Sequence, residues 1–279
     1  MIGLVVDSNS QLPAALAERY SIEVVPLLVT VDGHEYREGV DLDVDDFYAA
    51  WDGGRTPAIS TSQPSPGAFV EAYTRLVARG ATEILSIHIA EAMSGTLNAA
   101  RIASDLVNVP VRLVDTGTAS FGISCCVWAA AEEIAAGASL AEAARTASAR
   151  AASLRTSFVV GVPRLVDRSG RVGVGIEAAS ADGIPVLAMA GADLTVLSTA
   201  NDLDAAVSAM IDDALAWPPT DERGLHVAIG TSDASSRPMS NALTEALRDH
   251  PGVAELIQYR IGPSVGAHTG PGTSGLFVF

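Results

Sequence analysis

The stretch Ile2-Gly3-Leu4-Val5-Val6-Asp7-Ser8-Asn9-Ser10 decides how the chain is read. A short apolar run stops at an aspartate and a cluster of hydroxyl and amide side chains, which is how a strand buried on both faces delivers the chain into a polar loop. The pattern returns at residues 83–89, where Glu83-Ile84-Leu85-Ser86-Ile87-His88-Ile89 leads on to Ser94-Gly95-Thr96. It returns again at 111–114, followed by Asp115-Thr116. Segments of helical period separate these runs, so the first half has the rhythm of βαβ units around a mainly parallel sheet.

Working outward, residues 22–30 read as a strand, Asp32-Gly33 as a hairpin turn and 43–51 as a short helix with an acidic first turn. A helix marked by Pro64 and Pro66 runs to about residue 79, and alanine-rich helices cover 119–136 and 140–152. The second half opens with Phe158-Val159-Val160 and is glycine-rich through Gly175. Strands at 185–189, 225–229 and 253–261 then alternate with helices at 203–215 and 235–247, before a last apolar run at 276–279. The fold class expected is α/β in two domains, residues 1–155 and 156–279.

Composition removes whole classes of function. Acidic residues number 33 against 17 basic ones, for a net charge of −16, and every basic residue is arginine. Phosphate backbones need clustered positive charge, so no nucleic acid partner is expected. Without lysine there is no P-loop and no Schiff base. Cys125 and Cys126 are neighbours in an apolar stretch and read as small core residues. The five histidines show no ligand spacing, so no metal site is expected. No apolar run is long enough to span a membrane, and Met1 leads directly into the first strand, so the chain is expected to be cytoplasmic.

The polar clusters after the strands are where an open sheet binds ligands. Thr61-Ser62 and Ser94 are each read as standing at a helix start, where free N–H groups and the helix dipole attract an anion without a basic side chain. Serine and threonine also serve there as ordinary caps, and that reading stays open. Gly262-Pro263-Ser264-Val265-Gly266 matches the pattern of a hydrolase nucleophile elbow, but no acid follows it and His268 is too near. His88, ending an apolar strand, reads as a satisfied buried histidine. His268 is read in a Gly/Pro-rich loop, and Arg171 in another.

Taken in order, these segments resemble the DegV family of fatty-acid-binding proteins. The resemblance lies in Val5-Val6-Asp7-Ser8 with Leu12-Pro13, Tyr36-Arg37-Glu38-Gly39-Val40 with Phe47-Tyr48, and Thr61-Ser62-Gln63-Pro64-Ser65-Pro66-Gly67. It continues through Ser94-Gly95-Thr96, Val114-Asp115-Thr116, Gly170-Arg171-Val172 and His268-Thr269-Gly270-Pro271-Gly272. It implies a long-chain fatty acid such as palmitate, stearate or oleate in the crevice between two α/β domains, bound non-covalently, with no other cofactor. Thr61, Ser62, Ser94, Gly95 and Thr96 would hold the carboxylate, with Arg171, His268 and Thr269 near the head-group end. By the same resemblance, some members present the fatty acid to a separate fatty acid kinase, which would make this protein a carrier without catalytic residues. The other readings are an enzyme acting on a small carboxylate or phosphate, and a fatty-acid-responsive sensor. The chain departs from the family where a basic pair is usual, reading Leu197-Ser198-Thr199-Ala200-Asn201, and where serines are usual, reading His88-Ile89-Ala90-Glu91.

Overall fold

The computed structural model describes residues 1–168, 176–219 and 224–279. The chain divides into two units, Met1–Asp41 with Ser60–Ala152, and Leu42–Ile59 with Ser153–Phe279. Against the boundary expected near residue 155, the division falls at 152/153 and gives the second unit an early segment that the sequence reading kept in the first.

In chain order the first unit contributes β1 (Ile2–Asp7), α1 (Ala14–Arg19), β2 (Glu23–Val25), β3 (Leu28–Val31) and β4 (His34–Arg37). After α2 (Val44–Ala49) of the second unit come β5 (Ile59–Ser62), α3 (Pro66–Ala78), β6 (Glu83–His88), α4 (Thr96–Ser104), β7 (Val111–Asp115), α5 (Phe121–Ala135) and α6 (Leu140–Ala152). Strands β2-β1-β6-β7 form a parallel sheet, while β4-β3-β5 form a small separate one. The single strand expected over 22–30 is therefore two strands in different sheets. Pro26 divides them, because a proline cannot donate to a ladder.

Side chains of β1 and β6 alternate between two covered faces, so nearly every residue is buried. Val5 and Ile84 pack with Phe69, Tyr73 and Leu76 of α3 and with Ala99, Ala100 and Ala103 of α4. Helices α5 and α6 pack against each other and on β1 and β6. Gly3 suits the close packing, since a Cβ there would stand 3.0 Å from a methyl of Leu76, which would have to give way.

The second unit continues with β8 (Arg155–Val159), α7 (Pro163–Arg168), α8 (Ile176–Ala179), β9 (Ile184–Ala190), β10 (Asp193–Ala200) and α9 (Leu203–Ala216). It closes with β11 (Leu225–Thr231), α10 (Arg237–Arg248), β12 (Val253–Arg260), α11 (Pro263–Thr269) and β13 (Ser274–Val278). The sheet order is β10-β9-β8-β13-β11-β12, with only β11 and β12 parallel. Its core joins Met210 of α9 and Leu243 and Leu247 of α10 to Val186, Val227, Ile229, Leu276 and Val278. The mixed α/β architecture agrees with the fold class read from sequence.

Candidate functional site

In the first unit the chain passes from β1 to β2 on one side and places β6 and β7 on the other. The strand order reverses between β1 and β6, and ligands of open α/β sheets bind beyond the carboxyl ends at that point. Asp7 and His88 end these two strands, and the hydroxyl clusters lie in the segments that follow them.

The segment after β6 meets the one after β5. A Cβ added to Gly95 would lie 3.2 Å from the side-chain amide of Gln63, so Gln63 rests on the backbone of the Ser94-Gly95-Thr96 turn. Gln63, the residue after Thr61-Ser62, thereby meets the Ser94-Gly95-Thr96 turn although some thirty positions separate them. Glycine favours this approach through its missing Cβ rather than through its backbone freedom.

The two arms differ from the sequence reading in their local structure. Thr61 and Ser62 are the last residues of β5, and it is Ser65 that caps α3, accepting from the Ala68 N–H at 3.2 Å with Pro66 in the first turn. Pro64 disfavours helical backbone at Gln63, which is why the helix starts later than Thr61 and Ser62. Ser94 lies two residues before α4. Its Oγ is 2.8 Å from Thr96 Oγ1 and accepts from the Thr96 N–H at 3.3 Å. Gly95, the residue before the helix, supplies no side-chain cap, so the first turn of α4 presents N–H groups toward which only the turn or a ligand can supply acceptors. Ser62 is exposed, Thr61 and Ser94 are partly buried, and Thr96 is buried.

Beneath this surface runs a chain of buried polar groups that sequence reasoning captured only as a satisfied histidine. His88 Nδ1 lies 2.9 Å from Asp7 Oδ2, His88 Nε2 lies 2.6 Å from Ser86 Oγ, and Ser86 Oγ lies 2.9 Å from the Tyr73 hydroxyl. All four residues are fully buried. Asp7 also accepts from the N–H groups of Asn9 at 3.1 Å and Ile89 at 3.1 Å. A carboxylate only accepts, so Nδ1–H donates to it. Nε2, the Ser86 hydroxyl and the Tyr73 hydroxyl continue the chain, and Tyr73 also reaches the Ala100 carbonyl at 3.5 Å, so each group has a partner. Burial pushes the Tyr73 phenol up to about 12 against the opposing hydrogen bond with Ser86, which keeps it a donor. The order serine, histidine, aspartate is that of a hydrolase triad. Here Ser86 Oγ is fully buried and bonded to both Tyr73 and His88.

The neighbouring loops are equally well tied. Thr116 donates its hydroxyl to the His88 carbonyl at 2.8 Å, and the Ser120 N–H donates to Asn9 Oδ1 at 2.9 Å. Ser120 itself has φ 58° and ψ −146°, a conformation that costs a non-glycine residue about 1–3 kcal/mol and is held by that contact at the start of α5.

In the second unit, His268 and Thr269 are the last residues of α11 rather than members of a loop. Pro263 sits comfortably in the first turn, and the helix ends where Gly270 takes φ +78°. Thr269 Oγ1 donates to the Val265 carbonyl at 3.2 Å. The segment after the helix is clamped. Asp233 accepts from the Gly272 N–H at 2.7 Å, and Thr273 Oγ1 donates to the Gly270 carbonyl at 2.8 Å. Gly161 packs so closely that a Cβ would stand 1.7 Å from the Pro271 carbonyl oxygen. Burial pushes the Asp233 carboxyl up, but hydrogen bonds from Gly272, Ser235 and Ser232 outweigh it and hold it below the ordinary carboxylate value. Arg171 lies outside the described residues.

The family model described as "Uncharacterised protein, DegV family" matches residues 1–279. A DegV domain-containing protein of Streptomyces coelicolor is 34% identical, over 99% of this chain and 98% of its own. A Thermus thermophilus DegV family protein, whose structure is described as one of fatty acid binding, superposes with a TM-score of 0.88 at 29% identity, covering 100% of this chain and 99% of its own. A Thermotoga maritima DegV lipid-binding protein gives 0.84 at 25% identity, covering 99% and 97%. With the parallel sheet, the paired hydroxyl segments and a match along its whole length, this chain belongs to the DegV family.

Proposed function

We propose that this protein binds one long-chain free fatty acid non-covalently, with the carboxylate at the meeting of Thr61-Ser62 and Ser94-Gly95-Thr96. The observation that carries the reading is the seating of Gln63 on Gly95, which brings two hydroxyl-bearing segments together beside the first turn of α4. Hydroxyls and backbone N–H groups stabilise an anion without a cation, which suits a chain of net charge −16. The solved relatives described as fatty-acid- or lipid-binding support the choice of ligand.

Most of the affinity comes from the tail. About 15 methylenes at roughly 0.8 kcal/mol each give a gross gain near 12 kcal/mol, before the costs of ordering. The head-group contacts offset desolvation of the carboxylate and fix its direction. Arg171, His268 and Thr269 are assigned to the head-group end on the family resemblance alone. The same resemblance supports a carrier role, in which a separate kinase receives the bound acid and this chain supplies no catalytic residue.

The test is the Thr61→Ala, Ser94→Ala double variant, with palmitate affinity measured by calorimetry. Each lost charge-assisted hydrogen bond is expected to weaken binding by about 1–3 kcal/mol. Unchanged affinity would remove the carboxylate from these two segments.

A further inference from the structure

The buried chain Tyr73–Ser86–His88–Asp7 is joined through the backbone to both segments that carry the proposed carboxylate site in the first unit, and the Tyr73 hydroxyl also reaches the Ala100 carbonyl of α4 at 3.5 Å. Tyr73 belongs to α3, whose start directly follows Thr61-Ser62-Gln63-Pro64. His88 meets the same helix a second time, its ring edge-on to Phe69 at 5.0 Å between centroids. From His88 the backbone runs two residues to Ala90, whose carbonyl accepts from the N–H groups of Met93 at 2.9 Å and Ser94 at 3.1 Å. Asp7, at the other end, binds the Ile89 N–H and turns the Asn9 N–H inward. His88 is thus the junction between the helix that carries one hydroxyl arm and the turn that carries the other.

Ordinary core packing does not call for this arrangement. The face of the sheet that holds Ser86 and His88 is otherwise lined by Val5, Ile84, Phe69 and Leu76, and apolar residues of similar volume would fill it without a buried carboxylate. Fully satisfied polar networks specify one geometry where apolar contacts tolerate several. Hydroxyls that converge on one small anion must be held within about 0.5 Å of their productive positions.

We infer that His88, with Ser86 and Tyr73, is a positioning element for the fatty acid head group: it fixes the separation of Thr61-Ser62 from Ser94-Gly95-Thr96 without itself touching the ligand. The inference rests on the proposed function above.

The experiment measures palmitate affinity and thermal midpoint for the parent, Tyr73→Phe, His88→Asn, Ser94→Ala and the double variant Tyr73→Phe, Ser94→Ala. Tyr73→Phe deletes one hydroxyl and keeps the ring in the core, so it reports even if His88→Asn fails to fold. The expected result is palmitate binding at least fivefold weaker in Tyr73→Phe. Ser94→Ala should also cost a clearly smaller factor in the Tyr73→Phe background than in the parent, because a displaced arm no longer offers its hydroxyl. A purely structural role lowers the midpoint but leaves the affinity of Tyr73→Phe within twofold of the parent, or makes the two factors multiply, and either outcome overturns the inference. If the parent itself takes up no palmitate, the proposed function falls and the inference with it, a failure distinct from one confined to the relay variants.

Discussion

Replacing His88 by phenylalanine isolates what the buried relay contributes to the first unit. The ring is retained, so the edge-on contact with Phe69 at 5.0 Å and most of the volume survive. What is lost is the bond to the Asp7 carboxylate at 2.9 Å and the one to Ser86 at 2.6 Å. A bond to a charged group contributes about 1.5–3 kcal/mol and a neutral one about 0.5–1.5 kcal/mol. Asp7 keeps two backbone N–H donors, and Ser86 can turn its hydroxyl proton to Tyr73 while Tyr73 donates to the Ala100 carbonyl at 3.5 Å, so neither is stripped and no further penalty is added. The expected destabilisation is about 2–4 kcal/mol, or roughly 30- to 1,000-fold in an opening equilibrium. Amide exchange of Ile84, Leu85 and Ile87 in β6, followed by mass spectrometry, reads that equilibrium directly. Acceleration in this range, with the exchange of β11 unchanged, is the expected outcome. Exchange in β6 within threefold of the parent would mean that the relay contributes nothing and that the reasoning from its hydrogen bonds is wrong.

Two further predictions concern the second unit. Gly161→Ala places a Cβ where the Pro271 carbonyl oxygen now lies, a contact of 1.7 Å that only backbone movement relieves, so a loss of at least 1–3 kcal/mol is expected in denaturant unfolding. An unchanged midpoint would show that the segment after α11 is not clamped. Asp233 is held below the ordinary carboxylate value, so it stabilises the fold above about pH 4 and this contribution is lost as pH falls through its lowered value. The acid-side fall in stability should therefore be shallower in Asp233→Asn than in the parent, and identical pH profiles would contradict the assignment.

Much of the architecture was legible because buried parallel strands are simple to read: β1, β6 and β7 are short apolar runs that end in polar clusters. The helices of the first unit followed from their period and from Pro66. The departures have separate causes. Strand β10 was overlooked since its burial alternates between partly buried and exposed positions along an edge of the sheet, without an uninterrupted apolar run. Helices α7 and α11 are short and lie among glycines and prolines, where local composition argues for turns. Thr61 and Ser62 were placed at a helix start because a serine before a proline-marked helix is a normal cap, but Ser65 fills that position.

The candidate site divided in the same way. Its hydroxyl residues stand in contiguous motifs and could be named one by one. The relay could not, because Asp7 and His88 are 81 positions apart and meet only when β1 and β6 pair. The contact of Gln63 with Gly95 is likewise tertiary, and no spacing in the sequence announces it.

The central claim is that the protein carries a fatty acid, and native mass spectrometry of the protein as purified from its expression host, with organic extraction of whatever is bound, tests it most directly. The account predicts a stoichiometric C14 to C18 fatty acid that is released intact on denaturation. A ligand-free protein that also fails to take up added palmitate or oleate would contradict it.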